Sequence, residues 1–133
     1  MQEEFQIKQI NDYEYFVNDV SITFTKDHVI RIITVGEASE KEALAVKEII
    51  QKLSDLAEDK VNVLIDLTQA LKPSPKARKV FLSLDDHHKI MKFAMFGAHP
   101  VAKVLAHFLL GITNRKDVRF FNTAEEALEW FKS

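Results

Sequence analysis

At 133 residues, with 47% apolar and 29% charged side chains, the chain has the length for one hydrophobic core and the make-up of an ordinary globular protein. It holds no cysteine, which excludes disulfides, thiolate metal sites, iron–sulfur clusters and thiol nucleophiles together. The formal charge of −2 conceals a division at Leu71: residues 1–71 carry 7 Lys/Arg against 14 Asp/Glu, net −7, and residues 72–133 carry 11 against 6, net +5.

Locally excess positive charge attracts anions. The basic residues of the second half are nevertheless spread over strands, helices and loops without interleaved aromatics, so nucleic acid is not the expected partner. The opening Met1-Gln2-Glu3-Glu4 is acidic and does not read as a signal peptide. No stretch approaches the roughly 18 consecutive apolar residues of a membrane span, and the expected location is the cytoplasm.

The first 35 residues read as strands. Phe5 to Ile7, Tyr13 to Val17 and Val20 to Phe24 alternate or nearly so, with turns at Asn11-Asp12, Asn18-Asp19 and Lys26-Asp27, which predicts an antiparallel meander. His28 to Val35, rich in β-branched residues and closed by Gly36, is the strand expected inside the sheet. Ser39 and Glu42 have the spacing of a capping box, and the helix they open carries Val46, Ile49, Ile50, Leu53, Leu56 and Ala57 as one apolar stripe.

From Val61 the rhythm becomes strand then helix, three times over, which predicts parallel strands joined by crossovers. The expected strands are Val61 to Leu67, Ile90 to Phe96 and Val118 to Phe121. Their helices open at Ser74-Pro75, at His99-Pro100 and at Thr123, where Glu126 completes a second capping box. The longest irregular stretch is Thr68 to Pro73. The whole predicts an α/β single domain over residues 1–133: a mixed sheet with N-terminal antiparallel strands, then βαβαβα, and about four helices.

Three passages carry a family resemblance: Val63-Leu64-Ile65-Asp66-Leu67-Thr68 before a loop and helix, Phe93 to Gly97 before a helix, and Val118 to Trp130. In order and local signature the chain resembles the SpoIIAA-like family of the STAS superfamily, the sulfate-transporter and anti-sigma-antagonist domains. The resemblance implies a non-enzymatic regulatory or binding module. SpoIIAA-like proteins are also similar in architecture to CRAL-TRIO domains, which implies a second reading as a carrier of lipid or another hydrophobic ligand. Anti-sigma antagonists place an Asp-Ser-Ser-Gly type motif at the start of the helix after the Asp-Leu strand. Here that region reads Lys72-Pro73-Ser74-Pro75-Lys76, with one serine and no glycine. Ser74 is the local residue that could inherit a phosphoacceptor role.

Motifs of chemistry are sparse. Asp85-Asp86-His87-His88 groups metal-ligand types, but consecutive positions on a helix point in different directions, so a solvated helix end is expected and no metal site. His99 and His107 are eight residues apart, beyond the i, i+4 pairing of a helical metal site. Asp66 approaches the carboxyl end of a strand, where α/β ligand sites collect; its alternative role is to bond the backbone of its own loop. No nucleophile elbow, phosphate loop or dinucleotide fingerprint is present among only 3 glycines.

One location collects candidates. Asp66, Thr68, Ser74, Gly97, His99 and Thr123 are expected at the carboxyl edge of the parallel strands, where helix N-termini converge and favour anions. The expected partner is a protein or a small anionic or lipid ligand, with no cofactor. Tyr13, Tyr15, Phe16 and Trp130 have no assigned place in the core and are candidates for a homodimer contact.

Overall fold

The structure, a computed structural model, describes residues 5–72, 74–82, 90–97, 100, 103, 104, 107 and 117–133. Its frame is one seven-stranded sheet in which the strands lie side by side in sequence order, β1 to β7. Strands β1 (Ile7–Asn11), β2 (Glu14–Val17), β3 (Val20–Phe24) and β4 (Val29–Gly36) form the expected antiparallel meander. From β4 onward, β5 (Val61–Ala70), β6 (Ile90–Phe96) and β7 (Val118–Phe121) are added in parallel.

Register explains the core. Tyr15, Ile22, Ile32, Ile65, Met95 and Phe120 are successive partners across six strands, so one row of apolar side chains crosses one face of the sheet. Helix α1 (Glu40–Leu56) buries Val46, Ile49, Ile50 and Leu53 against that face. Ser39 caps it as expected: its Oγ accepts from the Glu42 N–H at 3.2 Å. Helix α2 (Pro75–Leu82) packs beside α1.

The neighbouring row, Phe16, Ser21, Ile33, Asp66, Phe96 and Phe121, points to the other face because side chains alternate along a strand. Helix α3 (Ala124–Phe131) covers part of it, with Ala127 on Leu64, Ala94 and Phe96. The two cores are therefore separate, one on each side of the sheet.

Several expectations need correction. The described residues hold three helices where about four are expected; in the helix expected after Gly97, Pro100, Lys103, Val104 and His107 are helical and the rest lies outside the described residues. Strand β1 begins at Ile7, two residues later than expected, and the turn moves to Asp12-Tyr13. Strand β5 runs on to Ala70, because Val35 and Gly36 of β4 continue to pair with Gln69 and Ala70 after a register shift. Backbone pairing thus orders most of the stretch expected to be irregular.

In α1, Leu56 leaves the apolar stripe and is 53% exposed, whereas Ala57 is the buried C-cap. Tyr15 is a buried core residue, with the Lys52 ammonium 5.4 Å from its ring centroid, and Trp130 packs on Phe121. Internal contacts account for both of these rings.

Candidate functional site

Four parallel strands end on the same edge, and the connections that leave them set the geometry there. Within β5, Asp66 stands where the pairing with β4 shifts register. One carboxylate oxygen, Oδ1, accepts from the Thr68 N–H at 2.8 Å and from the Thr68 hydroxyl at 2.6 Å. The Asp66 carbonyl accepts from the Thr34 hydroxyl at 2.7 Å, which ties β5 to β4. Asp66 and Thr68 are thus a local pair at the irregular part of β5; the carboxylate bonds nearby backbone, close to the alternative role weighed above, although that backbone is strand and not loop.

After Ala70 the backbone crosses to the start of α1. The Leu71 N–H donates to the Gly36 carbonyl at 2.9 Å, and the Ser74 N–H to the Ala38 carbonyl at 3.1 Å. Gly36 sits at φ +70°, a left-handed conformation that favours a residue without Cβ. The turn it makes brings the α1 entry alongside the α2 entry. Ser74 then caps α2: its Oγ accepts from the Ala77 N–H at 3.1 Å, and Pro75 takes the first helical position, where a missing N–H costs nothing.

A cleft of about 490 Å³ opens at this junction, lined by Glu37, Leu71, Lys72, Ser74, Pro75 and Arg78. Ser74 is half-buried at its wall and Lys72 is exposed. Arg78 stands four residues after the cap, so it lies one helical turn above Ser74 on the same side. Serine hydroxyl, helix N-terminus, guanidinium and ammonium therefore share one concave surface, with Glu37 as the one carboxylate among its described residues.

The remaining candidates divide. Gly97 is buried, and its N–H donates to the Phe121 carbonyl at 3.3 Å, which holds the ends of β6 and β7 together. Thr123 caps α3, accepting from the Glu126 N–H at 3.3 Å while its own hydroxyl donates to the Glu126 carboxylate at 3.2 Å. It serves the helix on the opposite face. His99 lies outside the described residues, as does Asp85-Asp86-His87-His88; His107 is an exposed helical residue.

Lys72 was legible only as part of the serine segment, and Glu37 and Arg78 were not singled out by the sequence. The i, i+4 spacing of Ser74 and Arg78 was the available signal for the latter. Among the described residues no helix is long and apolar enough to cross a membrane, and no group of three or more metal-ligand side chains gathers.

The model of the family described as SpoIIAA-like matches residues 29–132, from β4 through α3. Among the solved structures that share the fold are two of note. One is an uncharacterised protein of the DUF3478 family with a SpoIIAA-like fold from Shewanella loihica, 20% identical, with a TM-score of 0.61 over 84% of this chain and 90% of that one. The other is the anti-sigma factor antagonist SpoIIAA in its unphosphorylated form, 10% identical, with a TM-score of 0.55 over 98% and 99%. No curated protein matches the chain.

Proposed function

Since the chain belongs to the SpoIIAA-like family, we propose that it is a non-enzymatic regulatory module that docks a protein partner at the Ser74 cleft and is switched by phosphorylation of Ser74. The observation that carries this reading is the position of one hydroxyl: Ser74 Oγ sits at the N-terminus of α2 in a concave surface with Lys72 and Arg78. A phosphate there would meet the positive end of the helix dipole and two cationic side chains, the setting in which a phosphoserine is best stabilised. It would also reverse the local charge, so a partner that docks with the unmodified surface would be repelled by the modified one. The fold shared with the anti-sigma factor antagonist SpoIIAA, solved in its unphosphorylated form, supports a protein partner and a phosphorylation cycle.

The carrier reading calls for an enclosed apolar cavity. The Ser74 cleft is open to solvent and has three charged side chains in its walls, which favours docking over enclosure.

The test combines intact mass and capture. Protein recovered from its native cells under varied growth conditions should include a form heavier by one phosphate, mapped to Ser74. Immobilised wild type and Ser74→Ala should retain a partner that Ser74→Asp loses. Equal capture by all three, with no phosphorylated form under any condition, would overturn the reading.

A further inference from the structure

At the opposite end of the sheet the structure holds a second concavity, of about 680 Å³, within the usual size range of small-molecule sites. Its walls come from the β1–β2 turn, the end of β3, the β3–β4 turn and the end of α1. We infer that this cavity binds a small amphipathic amine, with the apolar body against its aromatic wall and the ammonium between its carboxylates. This site is independent of the docking function proposed for the Ser74 cleft.

The aromatic wall is built. The Phe24 N–H donates to the Tyr13 carbonyl at 2.8 Å, which sets their rings edge to face with centroids 6.3 Å apart. The His28 ring follows 6.1 Å beyond Phe24, carried by a backbone at φ +62°, uncommon for a residue with a side chain. Leu56, the residue that leaves the α1 stripe, adds an apolar side chain to the same cavity. Tyr13 and Leu56 are each more than half exposed. Apolar and aromatic surface thus lines one space at the rim of the core, on which Phe24 itself packs.

Charge selects the occupant. Glu14 and Glu58 line the cavity, and the C-terminus of α1 adds its partial negative charge with no basic residue in the last turn to offset it. Lys26 is the one ammonium among the described residues of the wall. Across the three adjoining turns Asp12, Glu14, Asp27, Glu58 and Asp59 outnumber Lys26 and Lys60, five carboxylates to two ammonium groups. This is the structural location of part of the acidic excess of the first half of the chain. Aromatic faces attract cations through their quadrupoles, and the carboxylates add to that attraction. An anion of the same shape meets repulsion instead.

The test is a titration of the isotope-labelled full chain with benzylammonium, its neutral analogue benzyl alcohol, and N-acetyl-arginine amide, followed by amide chemical shifts. Benzylammonium should give saturable shifts centred on Tyr13, Phe24, His28 and Leu56, and benzyl alcohol should bind at least about fivefold more weakly. The double variant Glu14→Gln, Glu58→Gln should lower the benzylammonium affinity by about fivefold or more while leaving that of benzyl alcohol unchanged. Raising the salt should weaken benzylammonium and leave benzyl alcohol unchanged, a readout on the wild type that stands even where the variant fails to fold. Equal affinity for amine and alcohol, shifts that do not saturate or lie elsewhere, or tighter binding of the arginine amide would each overturn the inference, the last by transferring the site to a protein side chain.

Discussion

The Lys92 ammonium donates to the Trp130 carbonyl at 2.9 Å and stands 5.2 Å from the centroid of the same residue's indole. It also donates to the Ser133 carbonyl at 2.7 Å, so one side chain from β6 satisfies acceptors at the end of α3 and opposes the negative end of its dipole. Arg119 approaches the indole as well, 5.3 Å from its centroid. The C-terminal helix is thereby fastened to the sheet by polar contacts as well as by its small apolar core.

Lys92→Met keeps the aliphatic stem and removes these contacts. It should destabilise the protein by about 1–2 kcal/mol, the scale of a charged hydrogen bond together with a partly exposed cation–π contact. Trp130 is the only tryptophan, so its emission reports on the docking of α3. Urea unfolding followed by fluorescence should show a lower midpoint and a red-shifted native spectrum, and an unchanged spectrum would contradict this account of the helix.

Ser74→Ala removes the α2 cap and should cost about 1 kcal/mol, whereas Ser74→Asp supplies another capping oxygen and should stay within a few tenths of a kcal/mol of wild type. Thermal unfolding of the two variants measures this. The pair separates folding from function, because loss of a partner by Ser74→Asp would then not be explained by loss of the helix.

Asp66→Ala deletes the acceptor of both Thr68 donors and should lower stability by about 1–2 kcal/mol. Asp66→Asn retains one side-chain oxygen that can serve the Thr68 N–H, and should recover about half of that loss. Denaturant midpoints for the two variants should fall in that order.

Among the described residues no heavy atom lies within 4 Å of the position that a Cβ on Gly36 would take. Any cost of Gly36→Ala is therefore conformational, about 1 kcal/mol for a residue forced to φ +70°, and Gly36→Asn, which tolerates that region better, should cost less. A loss of several kcal/mol in Gly36→Ala would point to a steric contact that the structure does not have.

In α1 the contrast is between neighbours. Leu53→Ala empties a fully buried site under the sheet and should cost about 2–5 kcal/mol, while Leu56→Ala should fall within about 0.5 kcal/mol of wild type. Equal effects at the two positions would mean that α1 docks through a different face.

The architecture was legible in the sequence wherever a local rule determined it. Alternation marked Tyr15-Val17 and Val20-Ile22, and the spacing of Ser39 with Glu42 and of Thr123 with Glu126 marked two helix starts that the side chains indeed cap. What could not be read depended on partners distant in sequence. Thr68-Gln69-Ala70 has no strand pattern of its own and is extended because β4 lies alongside. Trp130 had no visible role until Lys92, 38 residues earlier, was found beneath it. At the candidate site the serine and the turn were legible, but the cleft was not, since Glu37 reaches it only through the pairing of Leu71 with Gly36.

The strict succession of strands across the sheet has a consequence for synthesis. Each strand after the first finds, as it leaves the ribosome, the free edge of the strand made just before it, and none has to be inserted between two already in place. Assembly can therefore proceed in the direction of translation, with sheet pairing confined to short spans of chain. Among the described residues α3 is the helix that covers the opposite face, and it follows all seven strands in the chain. Leu64, Ala94 and Phe96 therefore meet Ala127 only after the strands that carry them have paired, so this second core closes after the sheet that supports it.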